Sequence, residues 1–405
     1  YPTNTLVTGY DIITFWVSRM IFSALHYTDN IPFDTVLIHG LVRDSLGRKM
    51  SKSLGNGIDP LEVIDKYGAD ALRLTLLTGN APGNDMRFYW ERVENSRNFA
   101  NKIWNATRFI LMNLGDAAVT EPAPEELGAA DQWILSRVND LAQEVTDNMD
   151  KFELGVAVQK VFDFIWEEFC DWYIELSKKS LQAREEAPAA ANAALWTLKT
   201  VLIQALKLLH PFMPFITEEI FDTLQDEEES IMVSAWPVRR DDWCFPEEER
   251  ALEQIKEAVS KVRVLRNDMN VAPSVRTELF VISADAETRK VFAENEALYR
   301  NLIGASSVIV KETDDLGAEG MASAVIPGVV IRIPLAELVD VAKEKERLGR
   351  EIERLTGELK RSDGMLSNEK FLARAPQEKV DAEREKRDKY AQMLAQVQEQ
   401  LAALG

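Results

Sequence analysis

The chain has 405 residues and a formal net charge of −20, with 67 acidic against 47 basic side chains. That balance excludes a bulk basic footprint for nucleic acid, and two cysteines, Cys170 and Cys244, exclude a disulfide framework. His26, His39 and His210 have no local zinc spacing, and no run of about eighteen apolar residues is long enough to span a membrane as a helix.

Residues 1–56 read as part of an α/β nucleotide fold. Thr5-Leu6-Val7-Thr8 is a short buried strand ending at Gly9, and a helical stretch follows from Ile12 to Leu25. Its apolar positions recur on several faces, as expected of an element covered on both sides. Asp34–Gly40 is a second strand with an apolar centre. In open α/β sheets ligands collect at the carboxyl ends of strands, where Gly9-Tyr10-Asp11 and His39-Gly40 fall. Next comes Gly47-Arg48-Lys49-Met50-Ser51-Lys52-Ser53-Leu54-Gly55-Asn56. Two ammonium groups three residues apart, among small residues and between glycines, make a mobile cationic loop. Compact charges on flexible stems suit nucleotide phosphates whose charge shifts in a transition state. The plainer alternative is a solvated basic turn.

From 57 to 115 short helices are expected. Asp59-Pro60 starts one, with proline at the first helical position, and Leu72, Leu76 and Leu77 form an apolar stripe. A long helix over Glu91–Leu114 buries Phe99, Ile103, Ile110 and Leu114 and leaves Asn101, Lys102, Asn105 and Arg108 elsewhere. Residues 116–240 are a helix bundle. Trp133, Val138, Leu141 and Val145 mark its first helix, Val156 through Leu176 a long aromatic second, and Leu195, Leu198, Leu202, Leu206 and Leu209 a third, ended by Pro211 and Pro214. The aromatics follow the helical period, which assigns them to the core rather than to base stacking.

Residues 241–337 form a small α+β module. A helix with Leu252, Ile255, Val259 and Val262 precedes a strand at Glu278–Ile282, a helix near Thr288–Leu298, and strands at Val308–Val310 and Val329–Ile333. Lys261, Arg263 and Arg266 cluster on one helix; a surface charge cluster is favoured over RNA contact. In 338–405, Val341, Leu348 and Leu355 are seven apart, with Ile352 and Leu359 between them and one departure at Lys345. The seam resumes after Pro376 at Tyr390, Leu394, Val397, Leu401 and Leu404. Two helices about the Gly364–Ala375 turn then make an antiparallel coiled coil of roughly 35–40 Å at 1.5 Å per residue. A dimerising coiled coil fits the heptads equally.

The signature loop, Thr8–Ile13, Phe15–Ile21, Leu37–Val42, Asn98–Asn105, His210–Phe215 and Leu366–Phe371 together resemble the class I aminoacyl-tRNA synthetases, and within them the valine enzymes. The resemblance spans nearly the whole chain. It implies a predominantly α, mixed fold. The expected parts are the C-terminal half of a Rossmann-like catalytic fold (1–56), stem-contact helices (57–115), an anticodon-binding helix bundle (116–240), the α+β module (241–337) and a tRNA-binding coiled-coil arm (338–405). The family's His-x-Gly-His motif has no match among the three histidines, and its inserted editing domain is not in this sequence. The resemblance therefore implies the C-terminal part of a longer enzyme, inactive by itself, with a tRNA-binding or coiled-coil interaction protein as the alternative.

Carried over residue by residue, Lys49 and Lys52 hold the departing pyrophosphate and the transition-state oxygens. Gly9 permits close backbone approach, Asp11 accepts from the ATP ribose or caps a helix, and His39 and Gly40 border the adenine. Ser51 and Ser53 donate to phosphate or satisfy the turn, and Trp16 walls the amino-acid pocket or packs in the core. Mg²⁺ comes with the ATP, and the implied partners are valine and tRNA(Val), in a cytoplasmic monomer. Charge adds a constraint on the RNA reading. Residues 1–115 carry +1, 116–240 carry −14, 241–339 carry −7 and 340–405 carry zero, the last concealing fourteen basic groups. Local patches and shape must then do the binding.

Overall fold

Thr3, Thr5, Val7 and Thr8 are β-branched and favour extended backbone. In the computed structural model they form β1 (Thr3–Gly9), paired in parallel with β2 (Phe33–His39) so that Gly9 stands beside His39. The structure describes all residues except 80–81, 116–118, 226, 273, 318–319, 339–340, 369–376 and 404–405. These residues are mostly helical with small sheets and divide into two units, Tyr1–Glu249 and Arg250–Gly405.

In the first unit the chain leaves β1 through a tight turn at Tyr10–Ile12 and a π-helical turn at Ile13–Val17, then enters α1 (Ser18–Thr28). The expected burial of this region is not found. Val7 is 59% exposed, no residue of α1 is buried, and Phe15, Met20, Ile21, Phe22 and Leu25 are all exposed. The strands pair only with each other, so the outward face of β1 and the sides of α1 lack a covering layer among the described residues.

A short β3 (Val42–Arg43) pairs in parallel with β4 (Met86–Arg87). α2 (Pro60–Tyr67) starts where expected, with the Asp59 carboxylate accepting from the Leu61 amide at 2.9 Å. In α3 (Ala69–Leu77) the fully buried positions are Ala71, Leu74 and Thr75, while Leu72, Leu76 and Leu77 are only half-buried. α4 (Trp90–Leu114) buries Phe99, Ile103 and Ile110 as expected; Leu114, its last residue, is half-buried.

The bundle follows the expected pattern: α5 (Ala129–Asp150), then α6 (Leu154–Asp163) running through a π-helical segment, Phe164–Tyr173, into α7 (Ile174–Gln182), then α8 (Pro188–Leu209) and α9 (Pro214–Leu224). Trp133, Phe164, Phe169 and Tyr173 are buried, so these aromatics belong to the core. Val156, at the start of α6, is exposed. The Tyr173 hydroxyl donates to Asp131 at 2.6 Å inside the bundle, and the Gly128 amide donates to the same carboxylate at 2.9 Å.

α10 (Pro246–Asp268) carries the chain into the second unit, and its Leu252, Ile255, Val259 and Val262 are buried. There a four-stranded sheet has the order β6-β5-β8-β7, built from β5 (Thr277–Ile282), β6 (Ala305–Lys311), β7 (Met321–Ile326) and β8 (Val329–Pro334). The expected single helix is two, α11 (Ala286–Glu294) and α12 (Glu296–Leu302), divided at Asn295. β7 is absent from the sequence reading. Its inward residues Ala322 and Ala324 are too small to give a strong apolar alternation, and the Pro327-Gly328 turn (Gly328 φ +75°) pairs it with β8. Arg266 is not a surface charge: it is 6% exposed and donates to the carbonyls of Ala272 and Val275. Arg263 donates to the Leu302 carbonyl.

After a short α13 (Leu335–Leu338), α14 (Val341–Leu366) and α15 (Gln377–Ala403) pack against each other. Leu348, Leu355 and Ser362, each seven residues apart, are buried on α14, and Val380 on α15. Ser362 donates to Glu383 at 2.6 Å and Arg387 pairs with Asp363 at 3.1 Å, so the helix ends nearest the link face each other. Pro376, most of the Gly364–Ala375 turn, Leu404 and the side chains of Val341 and Lys345 lie outside the described residues.

Candidate functional site

The loop after β3 is built on one carboxylate. Asp44, nearly buried, accepts from the Arg48 amide (2.7 Å), Arg48 Nε (2.7 Å), the Leu46 amide (3.1 Å) and Asn56 Nδ2 (2.9 Å). These donors, the Asn56 amide first, lower its pKa to about 2. Asn56 also accepts from the Ser51 amide at 3.0 Å. One pair, Asp44 and Asn56, thus ties the first half of the Lys49–Ser53 segment, from the Arg48 amide to the Ser51 amide. Gly47, at φ +81°, makes the hairpin turn that sets Lys49 opposite Arg43.

Within this frame the two lysines differ. Lys49 reaches Asp11 Oδ2 at 3.4 Å, across the carboxyl ends of β1 and β2. Lys52 opens an exposed turn, Lys52–Leu54, and makes no ion pair among the described residues. The Ser51 hydroxyl accepts from the Leu54 amide at 3.3 Å and lies 3.1 Å from the Ser53 hydroxyl, so Ser51 caps the turn. Met50 is packed against the apolar cluster of Val63, Ala71, Phe88 and Val93.

Gly9, Asp11 and His39 come together. A Cβ on Gly9 would lie 2.9 Å from Asp11 Oδ1 and 3.5 Å from the His39 ring. Asp11 caps no helix; the turns that follow it have no side-chain cap. Gly40 has a reason of its own, since a Cβ there would fall 1.8 Å from the Asn84 carbonyl oxygen. The exposed His39 holds its Nδ1 2.8 Å from the Gly40 carbonyl. Trp16 stands apart at 55% exposed, with the Arg19 guanidinium 5.7 Å from its ring centre.

The sequence reading missed the supports. Asp85 accepts from the Leu41 amide (2.7 Å), from Arg43 and from the Tyr10 hydroxyl (3.1 Å), joining β3 to the turn that carries Asp11. Asp44 and Arg48 are visible as an i, i+4 pair, but nothing local marks Asn56 or Asp85 as partners. Beside the site, an apolar cavity of about 340 Å³ is lined by Val7, Leu37, Leu76, Met86 and Phe152, with His39 and Gly40 at its wall. Among the described residues no group of three His, Cys, Asp or Glu is placed to hold a metal ion. A Mg²⁺ ion carried on nucleotide phosphates requires no such group.

Residues 1–89 match the family model of class I tRNA synthetases (I, L, M and V). Residues 131–281 match that of the anticodon-binding domain of tRNA ligase, and 340–405 that of the valyl tRNA synthetase tRNA binding arm. The chain is 53% identical over 406 residues to a valine–tRNA ligase of Clostridium tetani. The corresponding proteins of Clostridium acetobutylicum and Bacillus cereus are 51% and 46% identical over 405 residues. The chain belongs to the valine–tRNA ligase family. Each alignment covers all of this chain and 46% of the relative, so the chain spans about half the length of the curated relatives it matches. No described helix is long and apolar enough to cross a membrane.

Proposed function

We propose that the protein containing this chain is a cytoplasmic valine–tRNA ligase. It joins valine to ATP with release of pyrophosphate, then passes the valyl group to the terminal ribose of tRNA(Val). The observation that carries this reading is Lys49 facing Asp11 at 3.4 Å across the ends of two parallel strands, with Lys52 on an exposed turn beside it.

In the first step a valine carboxylate oxygen attacks the α-phosphorus, and the bond to the pyrophosphate oxygen breaks. Charge moves onto the leaving group, so positioned cations are the main catalytic requirement. Lys49 and Lys52 supply them. The Lys49–Asp11 pair is long and partly exposed, hence weak. ATP displaces it: Lys49 turns to phosphate, and Asp11 accepts from the ribose hydroxyls. Gly9 leaves room for that carboxylate, His39 and Gly40 border the adenine, and Trp16 walls the amino-acid pocket. Ser51 keeps the turn, and Ser53 donates to phosphate. Mg²⁺, held on the phosphates, adds positive charge there. In the second step the ribose hydroxyl attacks the valyl carbonyl and AMP leaves.

The tRNA is held by three parts: the stem-contact helices (57–115), the anticodon-binding bundle (116–240) and a coiled-coil arm (338–405). Residues 1–56 form the nucleotide half-fold, and 241–337 join bundle to arm. The test is valine-dependent ATP–pyrophosphate exchange and charging of tRNA(Val) by the whole protein, as a monomer. Exchange driven better by another amino acid than by valine would contradict the reading.

A further inference from the structure

The turn between α8 and α9 is gripped by residues far away in sequence. Asp70 of α3, 8% exposed, accepts from the amides of Ile216 (2.7 Å) and Phe215 (3.3 Å), in the first turn of α9. Arg73, one helical turn further along α3, donates Nε to the Phe212 carbonyl (3.1 Å) and Nη2 to the Pro211 carbonyl (3.0 Å). The start of a helix leaves just these amides without intrahelical partners, and the two carbonyls belong to the link between α8 and α9. A carboxylate at the start of α9 is also favoured by the helix dipole. Burial raises the Asp70 carboxyl above the usual carboxylate range, and the Ile216 and Phe215 amides oppose that shift. Inside the turn, His210 Nδ1 lies 2.7 Å from the Thr217 hydroxyl, which in turn donates to the Met213 carbonyl at 2.7 Å. The turn is braced within and clasped from outside.

Between Asp70 and Arg73 on the same helix, Ala71 packs into the apolar cluster of Val63, Phe88 and Val93. That is the cluster against which Met50 of the cationic loop is packed. A continuous packed path therefore runs from the loop, through α2 and α3, to the α8–α9 turn. Packed cores are close to incompressible, so a displacement of the bundle's turn is carried to Met50 rather than absorbed.

We infer that Asp70 and Arg73 are positioning residues that set the cationic loop against the helical bundle, so that the loop acts in register with tRNA held on the bundle. The inference rests on the ligase reading above and names two residues that touch neither nucleotide nor amino acid. Because Lys49 and Lys52 of the loop act on the departing pyrophosphate, loss of the clasp slows amino-acid activation, and charging of tRNA with it.

The experiment uses the whole protein with Arg73→Ala, Asp70→Asn and Arg73→Lys. Tyr173→Phe, a change in the bundle core away from the clasp, serves as the stability control. Exchange without tRNA is expected to fall by about tenfold or more for Arg73→Ala and Asp70→Asn and to stay within about twofold of wild type for Tyr173→Phe. Charging of tRNA(Val) should lose about tenfold or more in kcat for Arg73→Ala and Asp70→Asn, with tRNA KM nearly constant. Arg73→Lys, which keeps the charge and one of two donors, should fall between. Tyr173→Phe should charge normally even where its Tm is as low as theirs. If Arg73→Ala charges like wild type, or if charging in all variants follows Tm alone, the clasp does not position the loop. A wild type that neither exchanges nor charges refutes the ligase reading itself, and this inference with it.

Discussion

Lys49 and Lys52 lie three residues apart, yet their surroundings separate their roles. Lys49 is fixed by backbone pairing with Arg43 and rests on Asp11, whereas Lys52 projects from a turn held at its base by Ser51 and Asn56. A side chain that engages charge only as it develops belongs on the mobile member. Lys52→Ala in the whole protein is therefore expected to lower the activation rate by about 10²-fold or more, with little change in valine KM. A mainly KM effect would assign Lys52 to ground-state binding. Asp44 gives a second test. Its donors depress its pKa, so its contribution to loop order is complete above the ordinary value of 3.8 and is lost as pH falls through about 2. Carboxyl NMR of Asp44 should titrate near the lower value, and a midpoint near the ordinary one would mean that the loop is not anchored there. The pentapeptide was legible in sequence because its chemistry is unusual. Its anchors were not, because Asp44 reads as half of a surface pair until Asn56, twelve residues on, folds back onto it.

The helices of the bundle were the most legible elements, since Leu195, Leu198, Leu202, Leu206 and Leu209 repeat at helical spacing and all are buried. The Asp131–Tyr173 bond inside that core was not foreseen, because tyrosine counts as apolar in such a pattern. Tyr173→Phe would leave a buried carboxylate oxygen short of its hydroxyl donor, at a cost of about 1–3 kcal/mol. Urea denaturation should show that loss as a lower midpoint at unchanged m-value. An unchanged midpoint would mean that the hydroxyl contributes nothing. The first strand and helix were read correctly in place and wrongly in burial. Apolar residues on several faces imply covering layers, and such layers over Val7, Phe15 and Phe22 are not among the described residues. The same limit explains Ser362, a polar residue on a heptad seam that closes the hairpin through Glu383. Only the partner helix shows why a serine can stand where leucine stood one and two heptads earlier.

Over the whole molecule, a charge of −20 must be reconciled with a polyanionic partner. The bundle is strongly acidic, whereas the C-terminal hairpin is neutral overall and rich in basic groups such as Arg350, Arg354, Lys360 and Arg361. Some of these are engaged within their own helix, as Arg354 is with Glu351 at 2.6 Å. Exposed pairs of this kind are weak and exchange readily for phosphate. If the chain is the part of a valine–tRNA ligase that grips tRNA, the hairpin should supply a disproportionate share of the interactions with the RNA backbone. The most direct measurement is tRNA(Val) binding across a salt series, with and without residues 340–405. The account predicts weaker binding and a flatter salt dependence after truncation, the slope falling by about one for each phosphate that the hairpin no longer neutralises, with amino-acid activation by the whole protein unchanged. Unaltered affinity and slope, with a dimer turned into a monomer, would contradict it and make the hairpin an assembly device.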